Sequence, residues 1–435
     1  MRMIKVCDAI MGSGKSSAAI RYMNEHALDK RFIYITPFID ETTRIQNACP
    51  HLNFWKPSSK LPEHEFRKMT HFKSLISGGK NIAITHTLFS MCDSEAIQMI
   101  ADAGYSAIID EAIEVFNPLD IHPSDIRILI DSGWLVRDGD DGNIHKAFRY
   151  YEQAAEKKYQ GGRFHDLFLA AKSNRLIEID DEVRGKQTTS KLWTWSVHKE
   201  LFESLNEIFV LTYMFQHSSL RCFFELYGMP YDYFGVEQRT PGEYVFAEKT
   251  VNPTWVLGLK ERIHILANKK LNSIGNNKHS LSASWFKRES KLEGSEKLER
   301  IKLNMANYYK HYAGGIPACQ RLWSTYGTGV SALRNKGFYR NDIPFNSKAI
   351  NCYGDCRALA YCVNIFQNPN MVRYYKENGI DYDDDGFALS TMLQWIWRSA
   401  IRNGEEIWIY IPSRRMRELL IGWLDEISNG GNQCD

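Results

Sequence analysis

Lys15 and Ser16 close a loop that runs from Ala9 through Gly12, Ser13 and Gly14, and a second hydroxyl, Ser17, follows. Glycines in such a loop let backbone N–H groups approach a polyanion at a helix N-terminus, where the helix dipole also favours negative charge. In this arrangement Lys15 would reach the β- and γ-phosphates of a nucleotide and the Ser16 hydroxyl would hold Mg²⁺. Gly12, Ser13, Gly14, Lys15, Ser16 and Ser17 are therefore the expected nucleotide-binding residues. The spacing matches G-x-x-x-x-G-K-[ST] except at its first position, where the small Ala9 stands for glycine. Asp110 and Glu111 supply the acidic half of the same chemistry. Asp110 would share the metal with Ser16, and Glu111 would polarise an attacking water. The plain alternative for this acidic pair is a strand-to-helix junction with a capping role.

These residues need rigid elements to hold them. An apolar run before Asp8 reads as a strand, and the alanine-rich segment after Ser16 reads as a helix. Similar short apolar runs cover 31–37, ending in Thr36 and Pro37; 80–87, ending in Thr85 and His86; 105–111, ending in Asp110 and Glu111; and 207–215, passing through Thr212. Each run of this kind has polar residues at its carboxyl end, and helical patterns separate the earlier ones. That alternation argues for an α/β fold with a parallel, doubly wound sheet whose ligands sit at the carboxyl ends of the strands. Residues 116–205 carry no such signature and read as an accessory insertion, with a turn at 138–142.

Beyond about residue 220 the character changes. Residues 262–273 and 295–312 have amphipathic helical patterns. Between them, 278–288 mixes cations and hydroxyls with Trp285 and Phe286, which suits either a phosphate-tracking surface or a loop with its aromatics turned inward. Gln394, Arg398 and Arg402 are spaced to share one helical face, and arginines there suit a phosphoryl group. A solvated basic face is the alternative. Asp383, Asp384 and Asp385 read either as metal carboxylates or as an acidic turn.

Composition bounds the function. The 435 residues are 44% hydrophobic and 24% charged, ordinary for a globular chain of two or three domains. The 54 Lys and Arg nearly balance the 52 Asp and Glu, so any nucleic-acid site must be a local channel rather than a basic face. Nine scattered cysteines form no C-x-x-C pair and read as reduced thiols of a cytoplasmic protein. No apolar run approaches the length of a membrane span.

The order of these motifs resembles the superfamily 2 helicases, the DEAD/DEAH-like group, and within it the DEAD-like helicases encoded by bacteriophages. Residues 9–16 resemble Walker A, Thr36 and Pro37 motif Ia, Thr85 and His86 motif Ib, Asp110 and Glu111 motif II, residues 211–213 motif III, and Gln394 with Arg398 motif VI; 346–351 stands where motif V falls. The resemblance implies two RecA-like parallel-sheet domains with an ATP cleft between them. Domain 1 would span 1–220 with the insertion at about 116–205, and domain 2 would span 221–435 with a helical insertion at about 255–320. It implies that Thr36, Pro37, Thr85 and His86 touch nucleic acid and that Thr212 couples hydrolysis to domain movement. Gln394 would sense ATP, with Arg398 and Arg402 as arginine fingers. This sequence departs from the pattern at Ala112 and Ile113, which follow the acidic pair, at Tyr213 and Met214, and at Trp397. The expected function is an ATP- and Mg²⁺-dependent helicase or translocase in phage DNA replication or recombination, with DNA favoured as the nucleic-acid partner. A DNA-packaging ATPase with a nuclease, or a nucleotide-switched binding or loader protein, are the alternatives.

Overall fold

A computed structural model describes residues 3–64, 67–119, 121–137, 146–150, 162–173, 175–179, 182–183, 186–187, 192–338, 341–346 and 352–429. The turn expected at 138–142 and most of the motif V segment at 346–351 lie outside them. The chain groups into two compact units. The first contains Met1–Asp8, Lys15–Lys249 and Asn368–Tyr382, and the second contains Ala9–Gly14, Thr250–Gln367 and Asp383–Asp435.

The first unit is built on strands β1 (Ile4–Asp8), β2 (Phe32–Thr36), β3 (Ile82–Thr85) and β4 (Ser106–Asp110). Helix α1 (Lys15–Glu25) follows the loop after β1. All five residues of β2 are buried, as are the first four of β4, which is why both read as unbroken apolar runs rather than alternating ones. Next come β5 (Phe116–Leu119), β6 (Leu135–Arg137), β7 (Lys146–Tyr150), β8 (Leu176–Ile179), the short hairpin β9 (Glu182–Val183) and β10 (Lys186–Gln187), and β11 (Leu192–Ser196). Strands β5, β11, β8, β7 and β6 form an antiparallel sheet in that order. Its described residues pack a small core around Ile126, Leu129, Leu167, Phe168, Leu176 and Trp193.

The chain then returns to the main sheet with β12 (Glu207–Thr212), β13 (Tyr231–Thr240) and β14 (Glu243–Ala247). The order across this sheet is β14-β13-β1-β12-β4-β2-β3, parallel throughout except for β14. Strands β13 and β14 place residues 231–247 with the first unit, so the chain does not divide at 220. The reason is visible in register: Tyr231–Phe234 lie beside Ile4–Cys7, while the polar second half of β13 pairs with β14. Residues 368–382 also belong to the first unit. Met371, Tyr374, Tyr375 and Ile380 enter its core, with the Tyr374 and Tyr375 rings 6.3 Å and 6.0 Å from Phe116.

The second unit holds β15 (Ile263–Ile265), β16 (Arg321–Ser324), β17 (Ala358–Tyr361) and β18 (Ile407–Tyr410), a parallel sheet in the order β15-β18-β17-β16. The amphipathic helix expected at 262–273 is interrupted, because Ile263–Ile265 pairs with β18 as an edge strand. The helix expected at 295–312 is present as Glu296–His311, and it buries Ile301, Met305, Tyr308 and Tyr309. Two buried tyrosine hydroxyls find backbone acceptors, Tyr309 on Leu322 O at 2.9 Å and Tyr410 on Leu271 O at 2.7 Å. In the 278–288 segment, Trp285 and Phe286 belong to this core, and the Ser282 hydroxyl caps their helix. Among the described residues, no helix is long and apolar enough to cross a membrane.

At Gly275 the backbone of Pro412 and Ser413 comes too close for a side chain. A Cβ there would lie 2.0 Å from Pro412 O, which is backbone and cannot swing aside. Gly275→Ala should therefore destabilise the protein by about 1–3 kcal/mol or more. Chemical denaturation that shows no loss would contradict this packing.

Candidate functional site

Five strands of the first sheet end in polar residues along one edge. Asp8 stands opposite Thr212 across β1 and β12, Thr36 stands opposite Thr85 across β2 and β3, and Asp110 ends β4 beside Leu211. This is the carboxyl edge of a parallel sheet, where side chains from separate strands can meet. The sequence expectation of strands with polar tips at Thr36, Thr85, Asp110 and Thr212 matches this edge.

The loop before α1 has the conformation its glycines permit. Gly12 and Gly14 have φ of +82° and +91°, in the region where a side chain is strained. Ser13, between them, is buried, and its hydroxyl has no partner among the described residues. Helix α1 begins at Lys15, so the backbone N–H groups of its first turn lack helical partners. Lys15 is only 7% exposed, Ser16 is half-buried and Ser17 is exposed.

Ser16 and Asp110 meet in the first unit. The Ser16 hydroxyl donates to Asp110 Oδ1 at 3.2 Å, and the Tyr34 hydroxyl donates to Asp110 Oδ2 at 2.9 Å. His86 Nε2 lies 2.8 Å from the Asp110 backbone carbonyl, and because a carbonyl only accepts, that nitrogen carries the proton. Burial pushes the Asp110 carboxyl up from its ordinary value, and the Tyr34 hydrogen bond pulls the other way. A serine hydroxyl and a carboxylate are hard oxygen donors of the kind a small divalent cation accepts.

Glu111 follows with φ of +65°, a left-handed conformation that costs a residue with a side chain of this size on the order of 1–3 kcal/mol. Its N–H bonds Leu211 O at 2.8 Å, so the chain stays tied to β12 while the side chain is redirected. Strain of this sort concentrates at functional positions.

Asp8 is a member of this edge that the motifs did not single out. Its Oδ1 accepts the Met214 N–H at 2.7 Å and its Oδ2 accepts the Phe215 N–H at 2.8 Å. Burial raises its carboxyl, opposed by those two N–H groups and by the charge of Lys15. The available signal was the one that marked Asp110, an acid ending an apolar strand. Tyr34 gave no comparable signal, because a tyrosine inside an apolar strand reads as core.

Other expected residues are placed differently. Thr36 is fully buried, with its hydroxyl unpartnered among the described residues, and Thr212 is 1% exposed. Neither hydroxyl is at the surface in this conformation. Thr85 is half-buried and caps the short helix His86–Ser90 by accepting the Leu88 N–H at 3.3 Å, and Pro37 is half-buried.

In the second unit the expected shared helical face of Gln394, Arg398 and Arg402 does not form. The helix spans Asp384–Ile396 and stops with Trp397 at its cap. The Ser399 hydroxyl takes the Ile396 carbonyl at 2.6 Å, and Ser399 adopts an extended conformation that ends the helical path. Arg398, 5% exposed, folds back so that its Nε donates to Gln394 O at 3.3 Å. Arg402 sits exposed on a separate turn, Ala400–Asn403. The three aspartates serve the fold: Asp383 caps the helix by accepting the Asp385 and Gly386 N–H groups, and Arg415 engages Asp384 and Asp385 at 3.2 Å and 2.6 Å. Among the described residues, no group of three or more His, Cys, Asp or Glu could hold a metal.

The two Asp8 bonds give a measurable expectation. Asn offers only one acceptor oxygen and turns an N–H₂ toward the other donor, so Asp8→Asn should cost about 1–3 kcal/mol in unfolding free energy. An unchanged denaturation midpoint would remove Asp8 from this role.

Comparison with known proteins places the chain. The YonV C-terminal Rossmann-like domain matches residues 258–424, the stretch that carries the second parallel sheet. The SPbeta prophage-derived uncharacterized protein YonV of Bacillus subtilis (strain 168) is 33% identical over 434 residues, covering 98% of this chain and 99% of the relative. Among solved structures, that of S. tokodaii Xpd4 aligns with a TM-score of 0.45 at 13% identity, over 97% of this chain and 94% of that one. With a third of its residues shared over nearly the full length of both proteins, this chain belongs to the YonV family.

Proposed function

We propose that the chain is an ATP- and Mg²⁺-dependent enzyme acting on nucleic acid, a helicase or translocase of the superfamily 2 kind that serves phage DNA replication or recombination in the host cytoplasm. The observation that carries this reading is the Ser16 hydroxyl on Asp110 Oδ1 at 3.2 Å, next to a loop with two left-handed glycines. The donor set fits Mg²⁺, which takes oxygen ligands and fills its remaining positions with phosphate oxygens and water. When bound, Mg²⁺ neutralises phosphate charge. Lys15 and the α1 N-terminus bind the phosphates, Glu111 orients the attacking water, and Arg398 is the proposed arginine finger, with Gln394 as nucleotide sensor. Arg402 lies on a separate exposed turn, Ala400–Asn403, and is proposed as a second arginine for the phosphates. The prophage origin in the relative's name supports the phage setting.

A second reading, a nucleotide-switched nucleic-acid-binding or loader protein, is favoured by the burial of Thr36 and Thr212, which leaves both hydroxyls out of a ligand's reach in this conformation. The packaging-nuclease alternative has no comparable support, because Asp383–Asp385 are committed to a helix cap and to Arg415.

ATP hydrolysis measured with no nucleic acid, single-stranded DNA, duplex DNA and RNA in parallel separates the readings. Stimulation by DNA is expected, and stimulation by none of them favours the switch. Lys15→Ala should weaken ATP binding, whereas Glu111→Gln should keep binding and lose turnover; turnover that survives both changes defeats the proposal. Arg398→Ala should leave ATP affinity nearly intact while turnover falls on the order of 10³-fold. An unaltered rate would assign Arg398 to structure.

A further inference from the structure

We infer that Tyr34 is a positioning residue that fixes the Asp110 carboxylate for metal binding, an inference that rests on the ATP and Mg²⁺ reading of the Ser16–Asp110 pair. Tyr34 lies in the middle of β2, opposite Ile108 on β4, which places Asp110 two residues further along the same face. The ring is fully buried. An apolar side chain would fill this position in a central strand at no polar cost, whereas a buried hydroxyl must find a partner. Its partner is Asp110 Oδ2 at 2.9 Å, while Ser16 occupies Oδ1 at 3.2 Å.

The geometry has a chemical consequence. The terminal torsion of an aspartate is broad, so a lone carboxylate samples many orientations. One donor on each oxygen fixes it. With Tyr34 on Oδ2, it is Oδ1 that faces the Ser16 hydroxyl, so the two expected metal donors are aligned before any ligand arrives. The His86 bond to the Asp110 carbonyl holds the backbone of the same residue.

The test uses the full chain and a fluorescent ATP analogue, titrated with Mg²⁺ and, separately, with EDTA present. In Tyr34→Phe the Mg²⁺ concentration that gives half of the metal-dependent gain in nucleotide affinity should rise about tenfold, as loss of an outer partner of a metal ligand typically does. Affinity in EDTA should match the unsubstituted protein. In an Asp110→Asn background, adding Tyr34→Phe should change nothing further, because Tyr34 acts through that carboxylate. An unshifted Mg²⁺ titration overturns the inference. So does loss of binding in EDTA, which would assign Tyr34 to the integrity of the strand. If the unsubstituted protein shows no Mg²⁺-dependent nucleotide binding, the reading of the site itself fails, an outcome separate from any effect of Tyr34.

Discussion

A carboxylate drawn partly out of water at the end of a strand is costly unless its oxygens are engaged, and among the described residues the first sheet carries two of them. Asp110 is held by Ser16 and Tyr34, and Asp8 by two consecutive backbone N–H groups. The neighbouring elements are arranged to supply these donors. Helix α1 starts where it can present Ser16, β2 lies beside β4 in the register that brings Tyr34 to Asp110, and the turn after β12 bends through a left-handed Met214 so that two N–H groups converge on Asp8. Along the carboxyl edge of the sheet, Asp110 and Asp8 are thus each held by donors from other elements.

This dependence on donors from distant elements explains which parts of the protein could be read from the sequence. The main strands were legible because each is an apolar run closed by a polar residue, a pattern that parallel sheets buried on both faces impose. The loop was legible because left-handed glycines cannot be replaced cheaply. Tyr34 was not, since its hydroxyl matters only through a partner on a strand distant in sequence, and strand order is not written in local pattern. Asp8 carried the same local sign as Asp110, an acid ending an apolar strand, but its donors belong to a turn that comes near only when β1 and β12 pair. The sheet extension by β13 and β14 was hidden by polar alternation, which suits an exposed ribbon as well as an independent region.

The second unit shows how spacing can mislead. Gln394, Arg398 and Arg402 would share a face in an uninterrupted helix, but Ser399 takes a helix carbonyl that the next turn would have used, and the path breaks there. Arg398 is left buried beside the end of the helix and Arg402 exposed on a later turn, so the two arginines have separate environments. The acidic run at 383–385 is the converse case, since consecutive aspartates that suggested metal chemistry are explained by an N-cap and by Arg415.

The return of residues 368–382 to the first unit sets the order in which this protein can be made. Phe116 and Phe223 belong to a core that also takes Met371, Tyr374 and Tyr375, residues translated only after most of the second unit has left the ribosome. The first unit therefore cannot finish folding as it emerges. It must wait as an incomplete core with aromatic surface uncovered, a state in which association with other chains competes with completion. For the same reason, a gene fragment ending after β14 would contain the whole phosphate-loop sheet and still encode a protein missing part of its interior.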